Sequence, residues 1–213
     1  MNARTVVGID LSGPASEQNT AVVSAVLHGE RLRGVRQHPG TDLAIRDLVR
    51  SLMERSEVIV AIDAPLSYQP GGGQRARDAE LRGELIAAGL RSGSVMAPTF
   101  HRMAWLTLRG MGLARTLTGL GCSVVEVHPG GCLALRGAPV DDVRGYSRDP
   151  ECRSRLAAWL AARGFSEVLD GEPCSSHLVA ACAAVLAARG WSGGNTVWQA
   201  AAEPPWHPFD FVC

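Results

Sequence analysis

The stretch Glu57–Leu66, with the sequence EVIVAIDAPL, decides the fold that we predict for this chain. Its first six residues are almost continuously apolar, as expected of a central strand that is buried on both faces of a sheet. Asp63 and Pro65 then end the strand, because these residues are typical of turns and proline interrupts a strand. A second run of this type, Cys122–Val127 (CSVVEV), also ends shortly before a proline. Two buried strands separated by helical segments predict an α/β fold.

The segment that precedes this stretch predicts an antiparallel meander. Thr5–Ile9 is a β-branched strand that ends at Asp10, and Thr20–Leu27 and Leu32–Gln37 follow as second and third strands with short links. A right-handed crossover then places Glu57–Ile62 parallel to the first strand and beside it. The sequence therefore predicts a mixed sheet.

Helical periodicity and capping residues predict five helices around this sheet. We predict them from Thr41 to about Arg55, over Arg77–Ala88, over Thr99–Leu117, from Asp149 to Arg163, and from Ser175 or Ser176 to Gly190. The tail Pro204–Cys213 is rich in proline and aromatic residues, and we expect it to be irregular and docked on the body or on a second subunit. We expect a single domain over 1–213, with 66–120 as a helical insertion and 196–213 as a docked tail.

The composition excludes several classes of function. The 213 residues carry 21 basic and 21 acidic side chains, so no general positive charge attracts nucleic acid or an anionic membrane. All the basic side chains counted here are arginines, which excludes a lysine nucleophile and the lysine of a phosphate-binding loop. The six cysteines have no CxxC spacing, so neither a zinc ribbon nor a thioredoxin motif is predicted. We expect a soluble, cytoplasmic protein without a signal peptide or membrane span.

Three carboxylates lie at or near the ends of the predicted parallel strands. Asp10 and Asp63 come directly after their strands, and Glu126 lies one residue inside the end of its strand. We expect their side chains to meet at the edge where open α/β sheets place ligands. Carboxylates this close repel each other, and Mg²⁺ or Mn²⁺ would relieve the repulsion, with room for two ions about 4 Å apart. The alternative is that each acid caps the next helix or turn.

Further polar residues flank these acids. His128 shares a strand face with Glu126 and is a candidate metal ligand or general acid, or equally a capping or buried histidine. Arg75, Arg77, Asp78 and Arg82 follow the Gly71–Gly73 loop, and Arg77 and Asp78 open a helix. The arginines could hold a phosphate beside the metal. The sequence alone favours the alternative, an exposed and charged first helical turn.

Together these motifs resemble the family called domain of unknown function 429, whose members are described as predicted nucleases of the ribonuclease H fold. The resemblance rests on these pieces, in this order: Gly8-Ile9-Asp10, Ala61–Leu66, Arg77-Asp78 with Arg82-Gly83, Val125–Pro129, and the Ala-rich helix Ala180–Ala188. It implies a ribonuclease H-like mixed five-stranded sheet of order 3-2-1-4-5, flanked by helices. It also implies that Asp10, Asp63 and Glu126 bind metal, with Arg77 and Asp78 beside them.

The chain departs from the family pattern in its last helix. Ala180 stands where we would place an aspartate, and His177 lies one turn earlier. His177 could replace a carboxylate as a metal ligand, which would suit Mn²⁺ better than Mg²⁺. It could equally be a residue of the first helical turn without a role.

We therefore predict a metal-dependent hydrolase of phosphodiester bonds, most similar to a nuclease. Asp10, Asp63, Glu126 and His128 would be catalytic, and the substrate would be a short, structured or single-stranded nucleic acid. One alternative is a ribonuclease H-fold enzyme that acts on an RNA-linked or small phosphorylated metabolite. Another is a non-catalytic binding protein on a decayed nuclease fold. A homodimer through the last helix and the tail is also possible.

Overall fold

The computed structural model describes residues 4–170 and 174–213, which form a mixed α/β fold around one sheet. The sheet has seven strands in the order β3-β2-β1-β4-β5-β7-β6, flanked by helices. The strands are β1 (Arg4–Asp10), β2 (Ala21–His28), β3 (Arg31–His38), β4 (Glu57–Asp63), β5 (Ser123–Val127), β6 (Gln199–Ala200) and β7 (Phe211–Val212). The first five lie within about two residues of their predicted positions.

The strand directions follow the predicted pattern. β1 pairs with β2 antiparallel and with β4 parallel, and β2 pairs with β3 antiparallel. β5 continues the parallel part of the sheet next to β4. The parallel strands β1, β4 and β5 therefore present their carboxyl ends at one edge of the sheet.

The tail is more regular than the sequence predicted. Phe211–Val212 forms β7, which pairs parallel with β5, and Gln199–Ala200 pairs antiparallel with β7. The Phe211 ring packs edge-on against Trp198 at a centroid distance of 5.2 Å. The prediction of an irregular tail was wrong at this point because backbone pairing with the open edge of β5 outweighs the weak strand signal of two residues.

The helices occupy both faces of the sheet. They are α1 (Asp42–Met53), α2 (Ala76–Ala87), α3 (Arg102–Leu120), α4 (Pro129–Leu135), α5 (Val140–Gly145), α6 (Pro150–Leu160), α7 (Ser166–Leu169) and α8 (Ser176–Gly193). α2 and α3 lie between β4 and β5, within 66–120. The predicted N-caps Thr41, Asp149 and Ser175 each accept a hydrogen bond from a backbone N–H of the following turn.

One helix, α8, lies directly against the central strands. Twelve of its residues are buried and half of these are alanine, so its backbone can approach the sheet closely. At Gly8 in β1, an added Cβ would lie only 2.2 Å from the carbonyl oxygen of Ala181, so only glycine fits there. This close packing brings the first turn of α8, which contains His177, to the carboxyl end of β1.

In the described part of the chain, no helix combines the length and the apolar character needed to cross a membrane.

Candidate functional site

The two aspartates at the strand ends face each other. Asp10 ends β1 and Asp63 ends β4, and the two are direct partners in the parallel register. Paired residues of neighbouring strands point to the same face, which here is the face that carries α8. This pairing of Asp10 with Asp63 is the closest agreement between the site expected from the sequence and the structure.

Ionisation of both Asp10 and Asp63 is unfavourable in these surroundings. The pKa of Asp63 is raised well above its usual range, first by burial and then by the charge of Asp10, a hydrogen bond with Asp10 and the charge of Glu126. The raised pKa favours the protonated form of Asp63, because two neighbouring carboxylates cannot both ionise easily. A divalent cation in place of that proton would relieve the same repulsion.

His177 approaches the pair from α8. Its Nδ1 lies 2.6 Å from Oδ2 of Asp10, and its side chain is 43% exposed. The pKa of His177 is raised, chiefly by the hydrogen bond with Asp10, with burial acting in the opposite direction. The imidazole ring therefore stands as an ion-pair partner of Asp10. Ala180, one turn further along α8, is buried.

Glu126 does not join the aspartate pair, although the sequence suggested that it would. Its register partner in β4 is Ile62 and not Asp63, so the alternation of side chains places it on the opposite face. Its Oε2 accepts hydrogen bonds from the backbone N–H of Leu66 at 2.9 Å and from Nη1 of Arg75 at 2.8 Å. Its Oε1 accepts a further bond from Nη2 of Arg75. Both carboxylate oxygens are thus engaged by the protein.

Arg75 is the centre of this second cluster. The side chain is 1% exposed, and it also forms an ion pair with Asp78 and lies 5.5 Å from the centre of the Phe211 ring. Burial lowers the pKa of Arg75, but the charge of Glu126 and the hydrogen bonds to both carboxylates outweigh burial, so the net shift is upward. Asp78 also accepts a hydrogen bond from the backbone N–H of Arg75 at 3.0 Å. The charged residues of the first turn of α2, Arg77 and Asp78, are therefore buried, and not exposed as the sequence favoured.

The other two residues predicted to bind substrate also have internal partners. Arg77 donates to the carbonyl oxygens of Phe209 at 3.0 Å and Ala201 at 2.9 Å, and so anchors the tail. Arg82 donates to Oε1 of Gln74 and to a backbone carbonyl. Both arginines therefore bond to groups of the protein, and their contact with phosphate stays a prediction.

His128 is the N-cap of α4. Its Nδ1 accepts a hydrogen bond from the backbone N–H of Gly131 at 2.8 Å, which leaves the proton on Nε2 to be donated to the carbonyl oxygen of Ser94, also at 2.8 Å. Burial lowers the pKa of His128 and favours this neutral form. The capping alternative therefore describes His128 better than the metal ligand or the general acid, because both ring nitrogens are engaged.

A small cavity next to Asp63 contains polar residues that the sequence did not single out. The cavity has a volume of about 290 Å³, and its lining includes Asp63, Tyr146, Arg91 and Arg144. The pKa of Tyr146 is raised by burial and by the charges of Asp63 and Asp10, so its hydroxyl lies within the field of the pair. No motif marks these three residues, because they come from loops and a short helix that the fold alone brings to the site.

The carboxylates at the strand ends could serve one divalent ion but not two. Among residues 4–170 and 174–213, no three His, Cys, Asp or Glu side chains form a ready metal site. Asp10 and Asp63 supply two carboxylates, and Mg²⁺ is commonly held by one or two carboxylates, with water and substrate phosphate as its other ligands. A second ion would need Glu126, whose oxygens are held by Arg75 and Leu66.

Comparison with known proteins gives a match to one family model and indicates no activity. A family model described as "Protein of unknown function (DUF429)" matches residues 8–204, a range that includes Asp10, Asp63 and His177. Neither the curated proteins nor the solved structures gave a significant match.

Proposed function

Since this chain belongs to the DUF429 family, whose function is unknown, we propose its function from its own side chains. The protein is a metal-dependent hydrolase of phosphodiester bonds, and Asp10 and Asp63 hold one Mg²⁺ or Mn²⁺ ion. The observation that carries this proposal is the register pairing of these two acids at the carboxyl ends of β1 and β4, where burial and the charge of Asp10 raise the pKa of Asp63. A protein gains nothing in stability from such a pair, so a role in binding a cation is the simpler account.

The strand order supports a site at the sheet edge formed by the carboxyl ends of β1 and β4. The first five strands stand in the order 3-2-1-4-5, which is the order that a ribonuclease H-like sheet would have. Asp10 and Asp63 end the two central neighbours of that order. In open α/β sheets, ligands bind outside the carboxyl ends of such strands.

The chain's own residues can be given roles around the pair. The bound ion would activate water and neutralise charge on the phosphate. His177, whose raised pKa favours its protonated form, holds a proton beside Asp10 and can pass it to a leaving oxygen. Arg91 and Tyr146 line the adjacent cavity, where a guanidinium and a hydroxyl group would contact phosphate oxygens, while Arg144 at the same cavity donates to Asp141 and to the carbonyl oxygen of Gly89.

A small substrate is the second candidate, and one observation favours it over a long nucleic acid. The cavity beside Asp63 is about 290 Å³, which is near the lower end of the range for small-molecule sites. The arginines expected to follow a phosphate backbone, Arg77 and Arg82, donate to groups of the protein instead. The same hydrolysis on a small phosphorylated or RNA-linked metabolite would need only the contacts in this cavity.

The first experiment is calorimetric titration of Mn²⁺ and Mg²⁺ into wild type, Asp63→Asn and the control Asp47→Asn. Asp47 is an exposed acid on α1 that pairs with Arg46, so its loss removes the same charge elsewhere. We expect one site per chain in wild type and in Asp47→Asn, and none in Asp63→Asn. Equal binding by wild type and Asp63→Asn would contradict the proposal and favour a non-catalytic binding protein.

Cleavage assays then separate the two substrate classes. We would compare wild type with Asp63→Asn on single-stranded, duplex and branched DNA and RNA, and on small phosphodiesters. Cleavage of a polymer that is lost in Asp63→Asn supports the nuclease. Cleavage of small diesters alone supports the second candidate.

A further inference from the structure

A second charged cavity lies at the opposite edge of the sheet. Its volume is about 940 Å³, and it lies between the amino end of β1 and the carboxyl end of α8. Three arginines line it, namely Arg4, Arg136 and Arg189. β1 spans seven residues and rises ~3.3 Å per residue, so this cavity lies about 20 Å from Asp10. It is therefore separate from the site proposed above.

Arg136 lacks good hydrogen-bond partners. Its Nε is buried and has no partner among the residues that the structure describes. Its Nη2 makes only long contacts with backbone carbonyl oxygens, 3.3 Å to Cys213 and 3.5 Å to Asn195. A buried donor without a partner costs free energy, so this guanidinium is stabilised poorly by the protein alone.

Arg189 adds a second positive charge next to the first. Its Nη1 is 3.4 Å from the carbonyl oxygen of Glu30, at the limit of hydrogen bonding. The pKa of Arg189 is lowered, first by burial and then by the charge of Arg136, while Glu30 acts in the opposite direction. Arg189 precedes the last turn of α8, which holds no basic residue, so the helix dipole does not account for the pairing of two guanidinium groups.

The sequence of α8 makes room for this arrangement. At Gly190, an added Cβ would lie 2.3 Å from Nη2 of Arg136, so any larger residue would displace the guanidinium. Glycine lowers helix propensity relative to the alanines that fill the rest of α8. The position of Arg136 in the cavity therefore depends on a residue that is unfavourable for the helix itself.

The acidic residues of the cavity are already engaged. Glu57 pairs with Arg4 at 2.9 Å, and Oε1 of Glu30 accepts a hydrogen bond from the Asn195 amide at 3.2 Å. Within 4.0 Å, Arg136 and Arg189 have no ion pair with an Asp or Glu side chain of residues 4–170 or 174–213, and Nη2 of Arg136 lies 3.3 Å from the main-chain oxygen of Cys213, the last residue of this sequence. A bound anion would supply the missing partner and reduce the repulsion between them.

We propose that this cavity binds a small phosphate-bearing anion between Arg136 and Arg189. The guanidinium group matches phosphate oxygens with two parallel hydrogen bonds, and a cavity of this size admits ligands up to a nucleotide.

The direct test is calorimetric titration of pyrophosphate and, separately, of ADP into wild type, Arg189→Gln and Arg50→Gln. EDTA in all samples removes metal from the Asp10–Asp63 site, and sodium chloride keeps the ionic strength constant. Arg50 is the matched control, because it is an exposed arginine in the last turn of α1. We expect one site in wild type and in Arg50→Gln, and affinity at least about tenfold weaker in Arg189→Gln. Tighter binding of ADP than of pyrophosphate would identify a nucleotide as the ligand.

Thermal unfolding in phosphate-free buffer separates binding from a structural role. If Arg189 serves an anion, Arg189→Gln removes a repulsion, so its Tm equals or exceeds that of wild type, and pyrophosphate raises it less. If Arg189 is only structural, the variant has a lower Tm and binds pyrophosphate as wild type does. Either that result or the absence of saturable pyrophosphate binding to wild type would overturn the proposal. Arg136→Gln can be titrated in the same way as a second variant. The test of the proposal rests on Arg189→Gln and holds even if Arg136→Gln does not fold.

Discussion

The Asp10–Asp63 pair and the Glu126–Arg75–Asp78 cluster are two regions with similar acids and opposite electrostatics. Around Glu126 the protein supplies a buried guanidinium that bonds to both acids. Between Asp10 and Asp63 the hydrogen bond instead requires a proton. A pair of carboxylates at strand ends is therefore a candidate site where the fold places no buried guanidinium between them, and the partly exposed His177 contacts only Asp10 of this pair. The following predictions test that contrast.

We expect the largest loss of stability when Arg75, the cation of the Glu126–Arg75–Asp78 cluster, is removed. Arg75→Met leaves Glu126 and Asp78 buried without their partner, which should lower the free energy of unfolding by about 3–5 kcal/mol. Urea denaturation at pH 7 measures this change. Arg46→Met is the control, because Arg46 pairs with Asp47 on the surface and should cost about 1 kcal/mol or less. Similar losses in both variants would contradict a special role for Arg75.

Replacing an acid by its neutral amide should change the free energy of unfolding in opposite directions in the two regions. Glu126→Gln weakens the bonds to Arg75 and should cost about 2 kcal/mol. Asp63→Asn removes a repelling charge and should gain about 1 kcal/mol at pH 8. Both are read from urea denaturation in EDTA. A loss of stability in Asp63→Asn would mean that the pair is not strained by its charge.

The pH dependence of stability should differ between wild type and Asp63→Asn. A carboxyl whose pKa is higher in the folded state binds its proton more tightly there. The free energy of unfolding of wild type should therefore fall, relative to Asp63→Asn, as the pH rises from about 4 through the folded pKa of Asp63. Paired denaturation curves in EDTA at several pH values give this difference, and a constant difference would contradict the raised pKa.

The smallest effect concerns His177, which is partly exposed. Its folded pKa is raised, so its contribution to stability is present below about pH 6.5 and is lost as the pH rises through the folded pKa. His177→Gln should cost less than about 1 kcal/mol at pH 6 and nothing at pH 9.

An NMR titration of the imidazole signals checks the cause of this shift. In Asp10→Asn the pKa of His177 should fall towards its usual value. The pKa of His38, which burial and Arg36 lower, should stay the same in that variant. An unchanged His177 would show that Asp10 is not its partner.

The sequence predicted the central strands because their signals are local. The apolar runs ending at Asp10 and Asp63 define β1 and β4, and the right-handed crossover makes them parallel neighbours. The N-caps of α1, α6 and α8 were predictable for the same reason, since each side chain bonds within its own turn.

The composition of the site was less predictable because it depends on register and on distant contacts. A difference of one residue between β4 and β5 pairs Glu126 with Ile62 and sends its side chain to the other face. Arg75 reaches Glu126 across 51 residues of sequence, a contact that no local pattern indicates. For Tyr146, nothing in the surrounding sequence indicates that the fold places it near Asp63.

The contact between Gly8 and α8 has a consequence for chemistry. Gly8 lies two residues before Asp10 on β1, and α8 carries His177 in its first turn. Even a single methyl group at position 8 would push α8 away from the sheet and increase the distance between the His177 imidazole and the Asp10 carboxylate. Gly8 has no side chain and takes no part in the proposed proton transfer. It nevertheless sets the distance between His177 and Asp10 on which that transfer relies.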